Sequence, residues 1–153
     1  MILGIDPGLT GAIALIDGED CLQVWDMPAI EKTHGKGKEV NAYLLADLIV
    51  EAVSEAEGEI VAHVEQVSAM PGQGVSSMFS FGHSAGVVKG VLGALGVKVI
   101  MVRPQAWKKT HSLTGKGKDA SRTLAISLYP EMRHRLERKK DVGRADAMLI
   151  ASS

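Results

Sequence analysis

Residues 1–17, MILGIDPGLTGAIALID, contain two short apolar runs on either side of a turn. Residues 2–5 are rich in β-forming side chains, and this run ends at Asp6. The Pro7-Gly8 pair stops the strand, because proline cannot donate to a ladder and glycine permits a tight reversal. Residues 12–16 then return antiparallel. The pattern predicts a β-hairpin with Asp6 at the exposed end of a buried strand.

Asp6 has two interpretations, and the presence of a second acid, Glu65, bears on the choice between them. A carboxylate held rigidly at a strand end suits Mg²⁺, which prefers oxygen ligands in octahedral geometry. Aspartate also caps turns, so the hairpin alone leaves both roles open. Glu65 lies in a further predicted strand, residues 60–67, where a charge is costly unless it is paired or bound to a metal. The alternative is an edge strand with Glu65 in solvent. His63 shares the face of Glu65, and we expect it to have a structural role.

The C-terminal segment supplies two more acids. Residues 143–152 predict an apolar helix in which Asp146 is the only acid, and such an acid usually has a partner or a function. Asp141 precedes Asp146 by five residues, about 140° of helical rotation, so the two cannot face one site from the same regular helix. Asp141 is therefore either a ligand that lies before the first turn or an N-cap.

Composition limits the class of protein. The 153 residues are 46% hydrophobic and 23% charged, which is typical of one soluble globular domain spanning 1–153. The net charge of −1 does not indicate a polyanion partner. Any evidence for such a partner must therefore come from the local distribution of charge. A single cysteine, Cys21, excludes an internal disulfide and fits a reducing, cytoplasmic location. We expect no membrane association, because no apolar run approaches transmembrane length.

Further elements follow from periodicity and turn signals. We predict strands at 21–27 and 97–102, helices at 40–56, 75–95 and 119–128, one or two helical turns at 104–110, and loops at 28–38, 68–74 and 113–118. The order βββαβαβα indicates an α/β domain with a mixed sheet.

The helix at 75–95 has two distinct faces. One apolar set should face the sheet: Phe81, Ala85, Val88, Leu92 and Leu95. The glycines form a separate stripe: Gly82, Gly86, Gly90 and Gly93. Each glycine costs about 1 kcal/mol against alanine in a helix, so four suggest a close approach of another backbone. That backbone belongs either to a second copy in a homodimer or to a helix of the same chain.

An Asp ending the first strand, a Glu on the fourth and an Asp near the start of the last helix resemble the RNase H-like nucleases. More narrowly, the sequence resembles RuvC-type Holliday junction resolvases, particularly the phage-encoded branch. The resemblance rests on four segments: GIDPGLTGAIALI (4–16), VEQV (64–67), GKGKDASR (115–122) and RADAMLIA (144–151). It covers nearly the whole chain. It implies an RNase H-like fold, with a five-stranded mixed sheet of three antiparallel strands followed by parallel strands, flanked by helices.

The resemblance also implies an activity: paired phosphodiester cleavage of four-way DNA junctions by a homodimer. It implies Mg²⁺, with Mn²⁺ as a substitute, held by Asp6, Glu65, Asp146 and, as a fourth ligand, Asp141. Lys118 would lie near the scissile phosphate. The implied contacts to DNA phosphates are Lys116, Lys118, Arg122, Arg138, Lys139 and Lys140, together with Arg133 and Arg135 of the same basic run. The run could instead be a solvated helix face.

Two positions depart from the family pattern. Gly143 stands three residues before Asp146, where the family usually has a further acid. Ser68 stands where an aromatic wedge often follows the EQV stretch, and Met70 or Phe79 is a candidate replacement. Three other functions stay open: an RNase H-like nuclease for other branched DNA or hybrids, a non-catalytic nucleic-acid-binding relative, and an ATPase of the actin and sugar-kinase type. The last shares the DxGxT-like turn but needs a second domain and a second phosphate loop.

Overall fold

The computed structural model describes residues 1–54, 56, 58–69 and 71–153. Its strands are β1 (Ile2–Asp6), β2 (Ala12–Asp17), β3 (Asp20–Asp26), β4 (Ala29–Glu31), β5 (Lys38–Val40), β6 (Val61–Glu65) and β7 (Lys98–Val102). Its helices are α1 (Ala42–Ser54), α2 (Val75–Ala94), α3 (Pro104–Thr110), α4 (Asp119–Leu128) and α5 (Val142–Ala151), with short 3₁₀ helices at Pro130–Arg135 and Lys139–Asp141.

The main sheet has the order β3-β2-β1-β6-β7, with β1 at its centre. β1 pairs antiparallel with β2, where Asp6 lies opposite Ala12, and parallel with β6, where Ile5 lies beside Val64. β6 pairs parallel with β7, where Glu65 lies beside Val102. The carboxyl ends of β1, β6 and β7 therefore meet at one edge of the sheet. The predicted mixed five-stranded sheet is confirmed.

Alternation along the strands builds a core on each face of the sheet. Leu3 and Ile5 of β1 are buried in a cluster that includes Leu45 of α1 and Val88 of α2. A second cluster joins β2 and β3 to α4 and α5 on the opposite face, with these buried members among others: Ala14, Val24, Ala125, Met148 and Leu149. Since Leu3 and Ile5 point towards α1 and α2, Asp6 points to the α5 side, which is where the site forms.

The backbone of α5 lies directly against β1. A Cβ on Gly4 would collide with the carbonyl oxygen of Ala147 and would lie 2.6 Å from the Cβ of Ala151. A Cβ on Gly143 would collide with the carbonyl oxygen of Thr10 and would lie 3.1 Å from the Cα of Gly11. Glycine is required at these positions because two backbones approach closely there.

Three predictions about local structure need correction. The predicted loop at 28–38 contains β4 and leads into β5; these three-residue strands pair as a separate hairpin and are too short to show periodicity. The helix predicted at 40–56 is shorter, because the side chain of Asn41 accepts hydrogen bonds from the backbone N–H groups of Tyr43 and Leu44 (both 3.1 Å) and starts α1 there. The basic run, residues 131–140, is not one helix, because Pro130 begins a 3₁₀ helix and a second, separate 3₁₀ helix follows it.

Other predicted elements are confirmed, including α2 and α4. Within α2, Ala85, Val88 and Leu92 are buried as predicted, whereas Leu95 is 39% exposed because it follows the last turn. In the described part of the chain, no helix is both long enough and apolar enough to span a membrane.

We expect Gly143→Ala to lower the free energy of unfolding by about 2 kcal/mol or more, because the new methyl group collides with rigid backbone. Urea denaturation would measure the loss. Gly117→Ala is the matched control, since no described atom lies within 4 Å of a Cβ placed there. Equal stabilities of the two variants would contradict the close approach of α5.

Candidate active site

Asp6 and Glu65 end adjacent parallel strands, so the sheet register places them side by side. The Asp6 Oδ1 atom accepts a hydrogen bond from the Gly8 backbone N–H (3.1 Å). The turn itself is closed by a bond from Gly11 N–H to the Gly8 carbonyl (2.9 Å). A Cβ on Gly11 would collide with the Asp6 carbonyl oxygen, so the turn folds tightly over the strand end. The DPGLTG sequence thus fixes one oxygen of Asp6 and leaves Oδ2 without a hydrogen bond from the described residues.

Glu65 is held by α3, which begins two residues after β7 ends. The indole Nε1–H of Trp107 donates a hydrogen bond to Glu65 Oε1 (2.8 Å). Trp107 is only 1% exposed, so this donor is fixed in the core. The Lys108 ammonium lies over the same ring, with Nζ 5.2 Å from the ring centroid. This contact is a cation–π interaction that keeps the lysine beside the two strand ends.

Asp146 enters the site from α5, because that helix packs against β1. Burial raises its pKa to about 6; the neighbouring Ser121 hydroxyl opposes the rise, the charge of Glu65 adds to it, and Lys108 opposes it. The Ser121 hydroxyl also lies 3.2 Å from the Lys118 carbonyl oxygen, to which it donates. Asp146 thus shares its electrostatic neighbours with Asp6.

Asp6 carries the larger shift of the two aspartates. Burial raises its pKa to about 7; the Gly8 N–H opposes this, the charges of Glu65 and Asp146 raise it further, and Lys108 lowers it. The structure therefore brings together Asp6, Glu65 and Asp146, as the sequence predicted. The raised pKa values of Asp6 and Asp146, next to a third carboxyl group, favour a bound cation.

The donor types fit Mg²⁺, since every candidate ligand is a carboxylate oxygen. Asp6 Oδ2 and Glu65 Oε2 accept no hydrogen bond from the described residues. Among those residues, no three His, Cys, Asp or Glu side chains already form a group able to hold a metal ion. The site is therefore chemically suited to a divalent cation, but the side chains must shift to complete a coordination shell.

Asp141 does not join this group. It is 4% exposed, and its carboxylate accepts bonds from the Arg138 backbone N–H (2.8 Å) and guanidinium (2.8–3.2 Å). Burial alone would raise its pKa, but the hydrogen bonds from Arg138 and the charges of Arg138 and Arg144 hold the pKa below its usual value. Asp141 occupies the N-cap position of α5. The structure thus pairs Asp141, which the sequence predicted as a fourth ligand, with an arginine.

Gly143 explains why the fourth acid of the family pattern is missing. Its Cα faces the Thr10 carbonyl and Gly11 so closely that any side chain would collide with backbone. An acid at this position would force α5 away from β1 and would move Asp146 with it. The departure from the family pattern is therefore a packing requirement, and it leaves a site of three carboxylates.

An open cleft lies above the carboxylates, and lysines line its walls. They come from the β4–β5 hairpin, from α3, from the loop before α4 and from the 3₁₀ helix before α5: Lys38, Lys108, Lys116, Lys118, Lys139 and Lys140. All are exposed. The chain is nearly neutral overall, but positive charge is concentrated around the cleft that contains Asp6 and Asp146.

Three of the four predicted DNA-binding arginines have partners within the chain. Arg122 donates to Asp119 (2.8 and 3.0 Å) and to the carbonyl oxygens of Leu136 (2.9 Å) and Glu137 (3.2 Å), so it ties α4 to the following segment. Arg138 pairs with Asp141, although its side chain is half exposed. Arg135 donates to the Val24 carbonyl oxygen (2.8 Å). Of the predicted set, the lysines are exposed in the cleft, whereas Arg122, Arg135 and Arg138 form contacts within the chain, and Arg138 also lines the cleft.

Sequence reasoning missed several residues of the site: Lys38, Trp107, Lys108 and Ser121. A signal existed for Trp107 and Lys108, because they follow a strand parallel to β6 and must return to the same sheet edge. Lys38 gave no such signal, because the hairpin was predicted as a loop. His63 has the structural role that we expected, with Nδ1 3.3 Å from the Ile150 carbonyl oxygen.

The wedge candidates have different outcomes. Met70 lies outside the described residues. Phe79 is 73% exposed on α2, and its ring stacks on His83 with 6.4 Å between centroids. Because its ring is exposed, Phe79 stays a candidate for inserting into a branched substrate.

Comparisons with known proteins agree with this geometry. No protein-family model matches the chain. The chloroplastic Holliday junction resolvase MOC1 of Chlamydomonas reinhardtii is 34% identical over 147 residues, covering 84% of this chain. The chain spans only 17% of the length of that relative.

Solved structures show the fold. The Thermus thermophilus RuvC complex with Holliday junction substrate matches with a TM-score of 0.53 at 14% identity, covering 99% of this chain and 93% of that one. A second T. thermophilus RuvC structure matches with a TM-score of 0.52 at 13% identity, covering 99% and 94%. The chain therefore has the RuvC fold, which is RNase H-like, and the resemblance predicted from the sequence is confirmed at this level.

We expect Asp6→Asn to stabilise the protein in EDTA at about pH 8. The folded-state pKa of about 7 exceeds the ordinary aspartate value of 3.8, so the wild type loses stability as pH rises through that interval. Each pKa unit corresponds to about 1.4 kcal/mol, so the gain should be a few kcal/mol. Urea denaturation across pH would show a flatter profile for the variant.

Asp141→Asn is the opposing control. The pKa of Asp141 is lowered, so its contribution is present above the unfolded-state value and is lost as pH falls. This variant should be less stable than the wild type at about pH 8. A loss of stability in both variants would mean that the pKa of Asp6 is not raised in the folded protein.

Proposed function

We propose that this chain is a metal-dependent endonuclease of the RuvC type that resolves four-way DNA junctions by paired phosphodiester cleavage. The observation that carries the proposal is the meeting of Asp6, Glu65 and Asp146 at one sheet edge beneath a cleft lined by lysines. The RuvC fold and the identity to a junction resolvase support it.

Asp6, Glu65 and Asp146 would hold Mg²⁺, with Mn²⁺ as a substitute. When bound, such ions supply an activated water and stabilise the leaving 3′ oxygen. The chain prepares two of these acids in advance, since Gly8 fixes one oxygen of Asp6 and Trp107 fixes one oxygen of Glu65. Positioning of this kind reduces the reorganisation that cleavage would otherwise require.

The lysines divide into two roles in this proposal. Lys108 lies close enough to Asp6 and Asp146 to lower the pKa of both, so its ammonium can stabilise charge that develops on the scissile phosphate. Lys118 lies on the facing loop, and we assign it a similar role. The rim residues Lys38, Lys116, Lys139 and Lys140 would contact the DNA backbone and give salt-dependent affinity.

The substrate class rests on the comparisons more than on the site chemistry. Three carboxylates and a basic cleft also suit flaps, other branched DNA or RNA–DNA hybrids. We favour four-way junctions because the matched relative is named a Holliday junction resolvase. The cytoplasmic location expected from the single cysteine stays a prediction.

We expect Asp6→Asn and Glu65→Gln to abolish cleavage of a synthetic four-way junction in Mg²⁺ while leaving junction affinity within about threefold. The acids hold the metal, whereas the lysines supply the affinity. Single-turnover cleavage and a binding titration on the same substrate would test both parts. Linear duplex, flap and hybrid substrates are run beside it. Equal cleavage of linear duplex and junction, or full activity of Asp6→Asn, would reject the proposal.

Paired cleavage requires two active sites, and we propose that two copies associate through α2. Gly82, Gly86, Gly90 and Gly93 all lie on the exposed side of the helix, and no described residue lies within 4 Å of a Cβ placed on any of them. The alternative, packing against a helix of the same chain, is therefore wrong for the described residues. The exposed Val75 and Phe79 continue this face. Lys89 is the only Asp, Glu, Lys or Arg in the helix, so the face resembles an interface between copies.

We expect Gly86→Leu to give a folded monomer, because the side chain would block close approach of a second α2. Light scattering at micromolar concentration would measure mass, and circular dichroism would check folding. Asp47→Leu, which adds a leucine to an exposed position of α1, is the control and should stay dimeric. A monomeric wild type would reject the dimer, and so would a dimeric Gly86→Leu.

A further inference from the structure

The hydrogen bond between Trp107 and Glu65 has a feature that core packing alone does not require. The indole N–H is a donor only, and it is directed at one specific oxygen of a proposed metal ligand (Nε1 to Oε1, 2.8 Å). A tryptophan at 1% exposure needs some acceptor, but a backbone carbonyl would satisfy it equally well. Here the acceptor is a carboxylate, and such charge-assisted bonds are the stronger kind.

We propose that Trp107 restricts Glu65 to one-oxygen metal coordination and thereby favours Mg²⁺ over Ca²⁺. The proposal rests on the metal site of the proposed function. Trp107 acts on the metal through Glu65, so it is a positioning residue. The ligand concerned is a divalent cation, and the property assigned is the discrimination between a small and a large one.

The chemistry follows from the number of free oxygens. With one lone pair of Oε1 engaged by the indole, Oε2 is the oxygen of Glu65 that is free of hydrogen bonds from the described residues and better able to bind a cation. Mg²⁺ requires near-octahedral geometry at about 2.1 Å and takes carboxylates through single oxygens, whereas Ca²⁺ accepts six to eight ligands and often both oxygens of one carboxylate. Withholding one oxygen therefore costs Ca²⁺ a ligand and costs Mg²⁺ nothing.

The indole can exert this restriction because it cannot move away. Trp107 belongs to the buried cluster beneath α4 and α5, where Leu113 and Leu136 are also buried. Its backbone N–H bonds to the Arg103 carbonyl oxygen (3.3 Å), which anchors the first turn of α3 to the end of β7. The Lys108 ammonium covers its ring. A ring fixed on all these sides holds its N–H direction while a cation binds.

The test is Trp107→Phe in the full chain, because phenylalanine keeps an aromatic ring under Lys108 and removes only the donor and part of the volume. Mg²⁺ and Ca²⁺ are each titrated by calorimetry without DNA. Loss of a group that orients a ligand typically weakens metal binding 10- to 100-fold. We expect the Mg²⁺ affinity to fall by about tenfold or more while the Ca²⁺ affinity is unchanged or rises. An equal change for both ions, or none, would overturn the proposal.

Trp25→Phe is the matched control, since it makes the same substitution at the only other tryptophan and should leave both affinities unchanged. It also makes Trp107 the sole tryptophan. In this background the Trp107 emission should shift on adding Mg²⁺, which keeps a test available if Trp107→Phe fails to fold. An emission unaffected by saturating Mg²⁺ would overturn the proposal.

Failure of this inference and failure of the proposed function are distinguishable. A wild-type chain that binds Mg²⁺ and cleaves junctions while Trp107→Phe keeps the same preference between ions rejects only the role of Trp107. A wild-type chain that binds neither ion rejects the metal centre itself, and the inference with it.

Discussion

The close approach of α5 to β1 is the constraint on which the site depends. Gly4 in the strand and Gly143 in the helix remove the side chains that would otherwise separate the two backbones. Through this contact Asp146, on a helix that follows the strand by more than a hundred residues, shares the electrostatic environment of Asp6. The same contact presses α5 onto the DPGLTG turn, so the turn, strand and helix form one rigid unit.

The unit is held from outside by ion pairs that surround the start of α5. Arg144 makes a two-bond pair with Asp26 at the end of β3 (2.6 and 2.7 Å) and donates to the Arg135 carbonyl oxygen. Asp141 pairs with Arg138 one turn earlier. Asp26 and Asp141 have lowered pKa values because arginines face them. Asp6 and Asp146 have raised pKa values because they are buried and lie near other negative charges. Stabilising pairs thus flank a destabilised cluster, which is the usual cost of a preorganised binding site.

The sequence was most informative where local pattern and packing agree. The hairpin around Asp6 was predictable because an apolar run, a Pro-Gly turn and a second apolar run leave few alternatives. The three acids were predictable because each interrupts an apolar element. The roles of Asp141 and Arg122 were not, because an acid or an arginine in a basic segment has the same sequence signature whether it meets DNA or a partner in the chain. Trp107 was missed since its ring, like most tryptophans, resembles ordinary core until its N–H is seen to meet Glu65.

With only three acids, each one depends on a different element for its orientation. Asp6 accepts its hydrogen bond from the turn and Glu65 accepts its bond from α3, whereas Asp146 has the Ser121 hydroxyl of α4 as its neighbour. Ser121 also donates to the carbonyl oxygen of Lys118, so the loop that would meet the phosphate and the acid beneath it share one hydroxyl. A hydroxyl has a single proton and cannot serve both acceptors at once. The geometry thus connects the position of the lysine loop to the hydrogen bonding of a proposed metal ligand.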